Sequence, residues 1–395
     1  MMTMLRLFFS LTLLLAVAGC GGGGSTGGTE QPATPPVNAF KATLQSRIPR
    51  SGVAGCWGYV ASNGDRYGLM GTAKGILVAD LRNPNAARVV DEVDGPTNTP
   101  YPGIYWREMR TFGHYAYIVS EQTNVRGGLM ILDLAGLPNS VRYVKAMVPR
   151  DGRLNAHTVD IDPDRGLLYL QRYSSLPSGI ATPHRDPEDG LGGGPTDGSV
   201  DIYDLADPEN PSYVTTFNQN IYVHDMTARG GFCYVAEGTH NSYSIWDVRD
   251  ARHPVLVVRW NVEPGHFAHN IWPSPDGSYV VTTEEIPEGL PARIWRLNGA
   301  SAPTPISQFQ QGTGTPHNAI WMGSRIFFSH YTEGIAVADV TDPARPVLAA
   351  RYDTSPNFSG PDLNGCWGVF PFPDGKTVIG SDINEGFHLI RLDLP

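Results

Sequence analysis

The feature that most constrains the fold of this chain is an internal repeat. Five segments share an apolar run that ends in Asp, a turn usually rich in Asp and Pro, and a second apolar run. They read GILVADLRNPNAARVV, GGLMILDLAGLPNSVRYV, GSVDIYDLADPENPSYV, NSYSIWDVRDARHPVLV and EGIAVADVTDPARPVLA. The pattern predicts a strand, a tight turn and a strand, because the Asp side chain accepts hydrogen bonds from turn amides and Pro fixes the turn.

Two further series of strand-like segments lie upstream of these hairpins. One contains HYAYIVSE, GLLYLQR, GFCYVAEG, SYVVTTEE, RIFFSHY and KTVIGSD, and the other contains CWGYVA, YWREMRT, AHTVDID, VHDMTAR, AHNIWPS, PHNAIWM and CWGVFPF. The unit is therefore four strands that recur about every 40 to 50 residues, which is typical of a β-propeller blade. The 45 Gly, the 33 Pro and a charged fraction of 17% also favour short strands joined by turns over long helices.

The first strand of this unit occurs seven times, which predicts an all-β, seven-bladed propeller over residues 38–395. The seventh unit stops after its third strand, so we expect the segment NAFKATLQSRIPR to supply the missing strand and close the ring. The tetrapeptide GCWG, at 55–58 and again at 365–368, would then form equivalent inner strands of neighbouring blades. Cys56 and Cys366 would lie close together, and whether they form a disulfide stays open.

The N-terminus has the pattern of a targeting segment. Arg6 precedes an apolar run from Leu7 to Val17 that is too short to span a bilayer comfortably. The run ends in Val-Ala-Gly-Cys, which looks like a bacterial lipobox; an ordinary signal peptide with a chance Cys is the alternative. We predict a lipoprotein signal peptide at 1–19, lipidation of Cys20, and a Gly/Ser/Pro-rich tether at 20–37. The expected location is the bacterial cell envelope, at the outer membrane if the host has two, because Gly21 and not Asp follows the Cys.

The charge of the chain limits its partners. A net charge of −10 argues against binding to nucleic acid, which needs basic patches. The sequence holds no phosphate-binding Gly-Lys-Ser/Thr loop, no Gly-x-Ser-x-Gly elbow and no His-Glu-x-x-His motif. We expect a monomer, held to the membrane by Cys20, with an unidentified protein or small-molecule ligand.

Candidate functional residues emerge when the predicted inner strands are aligned. One column reads Trp57, Arg107, His157, His224, His269, His317 and Trp367. The next column includes Glu108, Asp225, Asn270 and Asn318. Since inner strands line the channel of a propeller, four His should ring one mouth with Arg107 beside them. The second strands return to the same face, and their ends carry Glu121, Glu237, Glu284 and His330.

Three interpretations of the His ring remain open. Imidazoles at one level suit a transition metal such as Zn, Cu or Fe, with carboxylates and Asn as outer partners. The His residues would otherwise bond to neighbouring blades and hold the ring together, or bind a small polar ligand directly. Trp57 and Trp367 are expected at the seam between the first and last blades, and Trp106 in the core outside the His column. The insertion at 172–198 is either a lid or a solvated loop.

The sequence resembles the LVIVD-repeat proteins, and more closely the bacterial choice-of-anchor B surface proteins. The resemblance covers about residues 50 to 395 and is carried by ILVADLRNP, YWREMRTFGHYAYIVSE, AHTVDID, VHDM, AHNIW, PHNAIW, IAVADVTDPARPV and CWGVFPF. It implies a propeller fold and a surface anchor, but brings no settled activity. ARIWRLNGASAPTPIS in the fifth blade lacks the strand-end Asp and the Asp-Pro turn, so its outer hairpin departs from the repeat pattern.

Two functions follow as hypotheses. The first is a membrane-anchored surface binding or scaffold module. The second is a metallo-enzyme, an oxidoreductase or hydrolase, that uses His157, His224, His269 and His317 with Glu108 or Asp225 in proton transfer.

Overall fold

A computed structural model describes residues 39–97, 105–173 and 198–395 of this chain. The predicted signal peptide at 1–19, the tether at 20–37 with its lipidation site Cys20, and most of the insertion at 172–198 lie outside the described residues.

The described residues form strands arranged as seven sheets that follow one another along the chain. Two strands precede the first complete sheet, β1 (Ala39–Phe40) and β2 (Ala42–Pro49). Blade 1 contains β3 (Val53–Val60), β4 (Arg66–Thr72), β5 (Gly75–Asp80) and β6 (Arg88–Asp94). A 3₁₀ turn at Pro84–Ala86 joins β5 to β6. Blade 2 contains β7 (Arg107–Phe112), β8 (Tyr115–Ser120), β9 (Leu129–Asp133) and β10 (Arg142–Met147).

The third, fourth and fifth blades repeat this plan. Blade 3 contains β11 (Val159–Asp162), β12 (Leu167–Tyr173), β13 (Gly198–Asp204) and β14 (Ser212–Phe217). Blade 4 contains β15 (Asp225–Arg229), β16 (Phe232–Ala236), β17 (Ser242–Asp247) and β18 (Val255–Asn261). Blade 5 contains β19 (Ala268–Pro273), β20 (Tyr279–Glu284), β21 (Ala292–Asn298) and β22 (Ser301–Phe309).

The last two blades each recruit an N-terminal strand. Blade 6 contains β23 (Ala319–Met322), β24 (Arg325–His330), β25 (Gly334–Asp339) and β26 (Val347–Tyr352), and β1 pairs with the outer edge of β26. Blade 7 contains β27 (Cys366–Pro371), β28 (Thr377–Asp382) and β29 (Gly386–Leu392), and β2 is its fourth strand. Each inner strand contacts the inner strand of the next blade, and β27 contacts β3, so the ring is closed. The prediction of an all-β, seven-bladed propeller is confirmed.

Closure by the N-terminal segment is also confirmed. Strand β2 runs antiparallel to β29, with Leu44 opposite Ile390 and Ile48 opposite Phe387. The pairing of β1 with β26 was not anticipated, and it ties the same N-terminal segment to blade 6 as well as to blade 7.

The predicted Asp turns form as expected. The carboxylate of the strand-end Asp accepts a hydrogen bond from the backbone N–H two residues later, at 2.7 to 3.0 Å, in Asp80, Asp133, Asp204, Asp247 and Asp339. Blade 5 replaces this turn with a tight hairpin in which Asn298 pairs with Ser301, and Gly299 has a φ of +65° that suits glycine.

The hydrophobic core is divided among the seams between blades. Buried clusters combine residues of neighbouring sheets, such as Leu69 and Met109 between blades 1 and 2. Cys56 belongs to the seam between blades 7 and 1, whereas Cys366 belongs to the seam between blades 6 and 7. Both are free thiols. The two GCWG segments therefore lie on neighbouring inner strands, but their cysteines face different seams and form no disulfide.

Candidate ligand site at the channel mouth

The four predicted histidines lie together at the beginning of the inner strands of blades 3 to 6. The ring centroids are 4.3 Å apart for His157 and His224, 4.5 Å for His224 and His269, and 4.2 Å for His269 and His317. All four side chains are buried. Trp367 of blade 7 continues the series, 4.6 Å from the ring of His317.

Irregular strand pairing orients two of these rings, those of His269 and Trp367. Residues 268 and 270 pair with neighbouring residues 284 and 283, which leaves His269 as the extra residue of a bulge. Trp367 is the extra residue of a similar bulge between Cys366 and Gly368. A bulge turns one side chain away from the regular alternation of the strand, here toward the channel.

In blade 2, the residue that lies beside the four histidines at the channel mouth is Trp106 and not Arg107. Trp106 stacks on Trp367, with ring centroids 5.7 Å apart, which corrects its expected place in the core outside the His column. Arg107 lies in a regular pair with Ser120 and is buried against the seam with blade 1. Its guanidinium donates to the carbonyls of Thr72 and Pro96 at 2.7 and 2.6 Å. Burial lowers the pKa of Arg107 to about 10.

Trp57 and Trp367, both expected at the seam between the first and last blades, lie in different parts of the channel. Trp57 contacts blade 7 as expected, with its ring 4.7 Å from that of Phe370, but it also extends into the channel, where it lines the cavity beside Glu108. The guanidinium of Arg110 lies 4.2 Å from the Trp57 ring. Trp367 instead lines the channel mouth beside His317.

Below the histidines, hydrogen bonds link the inner strands of neighbouring blades through Thr158, Asp225, Asn270 and Ala319, a set called the polar belt. Thr158 of blade 3 donates to Asp225 of blade 4 at 2.8 Å, and Asn270 of blade 5 donates to the other oxygen of Asp225 at 2.6 Å. The side-chain oxygen of Asn270 accepts from the backbone N–H of Ala319 in blade 6 at 3.1 Å. Asp225 and Asn270, chosen from the sequence as candidate ligand groups, thus help to connect four successive blades.

Glu108 and Asn318 line the same level of the channel, beside a cavity of about 20 Å³. The carboxylate of Glu108 accepts a 3.1 Å hydrogen bond from Arg110. Burial raises the pKa of Glu108 to about 6, against the opposing effect of Arg110. The backbone N–H of Asn318 donates to Ser329 at 3.1 Å.

Only one of the four strand-end residues proposed for the mouth contacts the His ring directly in the described residues. Glu121 lies 2.5 Å from Nδ1 of His157. Glu237 accepts from Ser244 and Arg259 within blade 4, and Glu284 is held by His266 and Arg293 in blade 5. His330 is buried near the backbone of Gln311, and its desolvation lowers its pKa to about 3.

Two residues that the sequence analysis missed complete the mouth. Glu285 follows the last residue of β20, and its carboxylate lies 3.7 Å from Nε2 of His269 and 3.9 Å from Nε2 of His317. Tyr331 follows the last residue of β24 and donates from its hydroxyl to Glu285 at 2.5 Å. The sequence signal for Glu285 is the tandem Glu284-Glu285, of which the alignment selected Glu284; the carboxylate of Glu284 contacts His266 and Arg293, and that of Glu285 lies near the His ring.

These side chains enclose a cavity of about 40 Å³. It is lined by Trp106, His157, His224, His269, Glu285, His317, Tyr331, Leu363 and Trp367. One ordered water needs roughly 10–15 Å³ of such space, so the cavity suits an ion or a very small ligand.

A much larger groove lies at the other ends of the same inner strands. It has a volume of about 1080 Å³ and is bordered by Arg229, Pro273 and Met322, where β15, β19 and β23 end. Its walls include Phe232, Tyr279 and Arg296. This volume lies slightly above the usual range of about 300–1,000 Å³ for small-molecule sites.

Comparisons with known proteins agree with the fold. A family model described as "LVIVD repeat" matches residues 331–354, which contain the hairpin of β25 and β26. A solved structure titled "Structure of U3-55K" is similar with a TM-score of 0.59 and 10% identity, covering 89% of this chain and 98% of that chain. At that identity the likeness shows the propeller fold alone. A search of the curated proteins found no similar sequence.

Among the described residues, no helix is long and apolar enough to cross a membrane.

Proposed function

We propose that this chain is an exported, lipid-anchored β-propeller of the choice-of-anchor B type that acts as a surface binding or scaffold module. The observation that favours a scaffold over an enzyme is the polar belt from Thr158 through Asp225 and Asn270 to Ala319. Asp225, one of the two residues that would serve proton transfer in an enzyme, is engaged in holding neighbouring blades together. The comparisons give no support to the metallo-enzyme hypothesis.

The groove at the ends of β15, β19 and β23 supports a binding role. Its aromatic side chains, Phe232 and Tyr279, offer apolar contact, and Arg296 is an exposed cation on its wall. Pockets of this kind combine an apolar lining with a few polar groups that fix the orientation of a ligand. We propose that the groove takes a small molecule with an apolar body and an anionic group.

The anchor is tested in a bacterial host with the full chain and its Cys20→Ala variant. The wild-type chain is expected to incorporate a radiolabelled fatty acid and to sediment with the membranes. The variant should lose the label and be found mainly in the soluble exported fraction. An unlabelled wild-type chain, or a labelled variant, would contradict the anchor.

The binding role is tested by thermal denaturation of the full chain against a panel of amphipathic carboxylates and phosphates. A ligand that binds the folded state raises the midpoint temperature by mass action. Arg296→Glu should abolish this rise, whereas Arg345→Glu, a charge reversal at an exposed turn of blade 6, should preserve it. A rise that is the same in both variants would exclude the groove, and no rise with any panel member would contradict the ligand class.

A further inference from the structure

We infer that His269, His317 and Glu285 form a binding site for a divalent transition metal at the channel mouth. Two imidazoles and one carboxylate are a donor set used for Zn²⁺ and for non-haem Fe²⁺. This set differs from the ring of four histidines expected from the sequence, and the inference does not depend on the membrane anchor or on the groove.

The distances between the donor atoms fit an ion. One ligand atom from each of the three residues lies within 4.8 Å of the others. The carboxylate of Glu285 is 3.7 Å from Nε2 of His269 and 3.9 Å from Nε2 of His317. Metal bonds of about 2.1 Å in a tetrahedron place ligand atoms roughly 3.4 Å apart. The two Glu285 contacts would therefore shorten by a few tenths of an ångström, and the widest donor pair by at most about 1.4 Å, from 4.8 to 3.4 Å.

Neighbouring groups orient two of the three ligands. Nδ1 of His317 lies 2.5 Å from the carbonyl oxygen of Trp367, which can only accept, so this nitrogen carries the hydrogen. In the neutral imidazole, the lone pair is then on Nε2, the atom nearer Glu285. The hydroxyl of Tyr331 donates to Glu285 and fixes the carboxylate. Such outer hydrogen bonds to a carbonyl and a carboxylate are typical of metal ligands.

The other two histidines have different surroundings. Nδ1 of His157 lies 2.5 Å from the carboxylate of Glu121. Nδ1 of His224 lies 3.1 Å from the hydroxyl of Tyr222. His157 and His224 therefore pack beside the proposed site but are not among its three ligands. The cavity of about 40 Å³ leaves room for a water molecule as a further ligand.

A second cluster in blade 5 provides a matched comparison. Glu263, His266 and Glu284 also bring three donor atoms together. There, however, the guanidinium of Arg293 lies 2.8 Å from Glu263 and 3.3 Å from Glu284. Because a fixed positive charge already faces both carboxylates, a metal ion is disfavoured at this cluster.

The experiment uses the full chain, purified in detergent without a metal-binding tag and stripped with a chelator. Zn²⁺ is titrated by calorimetry, and the metal content is measured after gel filtration. The wild-type chain is expected to retain about one equivalent. Glu285→Gln should weaken binding at least about 100-fold, because loss of an outer partner alone weakens binding 10- to 100-fold. Tyr331→Phe should weaken it about tenfold, and Glu284→Gln should leave it unchanged.

The variants must share the fold of the wild-type chain, so the midpoint temperature of each is measured in chelator. Glu285→Gln keeps the shape of the side chain and should unfold within a few degrees of the metal-free wild type. The inference is overturned if the wild-type chain retains no Zn²⁺ or if Glu285→Gln binds it as tightly as the wild type. Loss of binding in Glu284→Gln with retention in Glu285→Gln would also overturn it and assign the ion to the second cluster.

Discussion

His330 illustrates how a buried titratable side chain affects stability. Its side chain is fully buried at the end of β24, and Nε2 accepts a long hydrogen bond of 3.4 Å from the backbone of Gln311. Desolvation lowers its pKa to about 3, and the charge of Arg351 acts in the same direction. The folded state therefore keeps this imidazole neutral over a pH range in which the unfolded chain protonates it.

This difference predicts a loss of stability in acid. Below a pH of about 6.5 the unfolded chain binds a proton at His330 that the folded chain does not, so the free energy of unfolding falls as the pH falls. Between pH 6.5 and 4 this residue should account for about 3 kcal/mol, at about 1.4 kcal/mol per pH unit. Urea denaturation at several pH values should show the wild-type chain losing this amount relative to His330→Gln.

The control for this measurement is His253→Gln, at a histidine that is 80% exposed. The stability difference between this variant and the wild type should change little over the same range. Parallel pH profiles for the wild type and His330→Gln would show that folding does not lower the pKa of His330.

At the scale of single elements, the inner strands do more than line the channel. The belt through Asp225 joins blades 3 to 5 by side-chain bonds, and Asn270 extends it to blade 6. Asp225 also accepts a 2.7 Å bond from the backbone N–H of Met226. A buried donor that loses its acceptor costs about 1–3 kcal/mol.

Asp225→Ala is therefore expected to lower the free energy of unfolding by about 3–5 kcal/mol, because it leaves the donors of Thr158 and Asn270 and a backbone N–H without this acceptor. Asp225→Asn, which retains one oxygen, should lose less. Asp164→Ala, at an exposed turn of blade 3, is the control and should stay within about 0.5 kcal/mol of the wild type. Equal losses in Asp225→Ala and the control, measured by urea denaturation, would contradict a structural role for the belt.

The elements also show what the sequence could predict. Strand number, blade number and the Asp turns follow from local patterns, because alternating apolar residues and turn residues act over a few positions. Bulges have no comparable sequence pattern, yet the bulge at His269 sets which side chains face the channel. Because the alignment assumed the same regular pairing in every blade, it placed Arg107 at the channel mouth where the structure has Trp106. It likewise placed Glu284 there, where the structure has Glu285. The four histidines do lie side by side, because their dipeptides mark the same end of each inner strand.

At the scale of the whole molecule, the ring depends on a segment that precedes it in the chain. Strand β2 covers the edge of β29 and packs Ile48 against the cluster between blades 7 and 1. Without β2, the edge of β29 would present unpaired backbone groups, which favour association between chains.

Deletion of residues 39–49 is accordingly expected to destabilise the propeller by several kcal/mol, since each ladder hydrogen bond contributes about 0.5–1.5 kcal/mol. Calorimetry should show a lower midpoint temperature, and gel filtration should show oligomers formed through the exposed edge. Deletion of residues 21–37, which leaves β1 and β2 in place, should change neither measurement. A chain that lacks 39–49 but remains monomeric and equally stable would contradict the role of β2 in closure.

The pairing of β2 with β29 has a consequence for the order in which the protein matures. Strand β2 is synthesised before the seven blades, and β29 near the end of the described chain. During translation β2 therefore has no pairing partner until the intervening blades have been made. The ring can lock only when both ends of this region have been made. A chain truncated before Gly386 would lack β29, so β2 would be unpaired and the sheet of blade 7 would have an exposed edge. Proteases and chaperones recognise such exposed segments. Closure thus acts as a quality check, since a propeller sealed by β2 has been translated through its last blade.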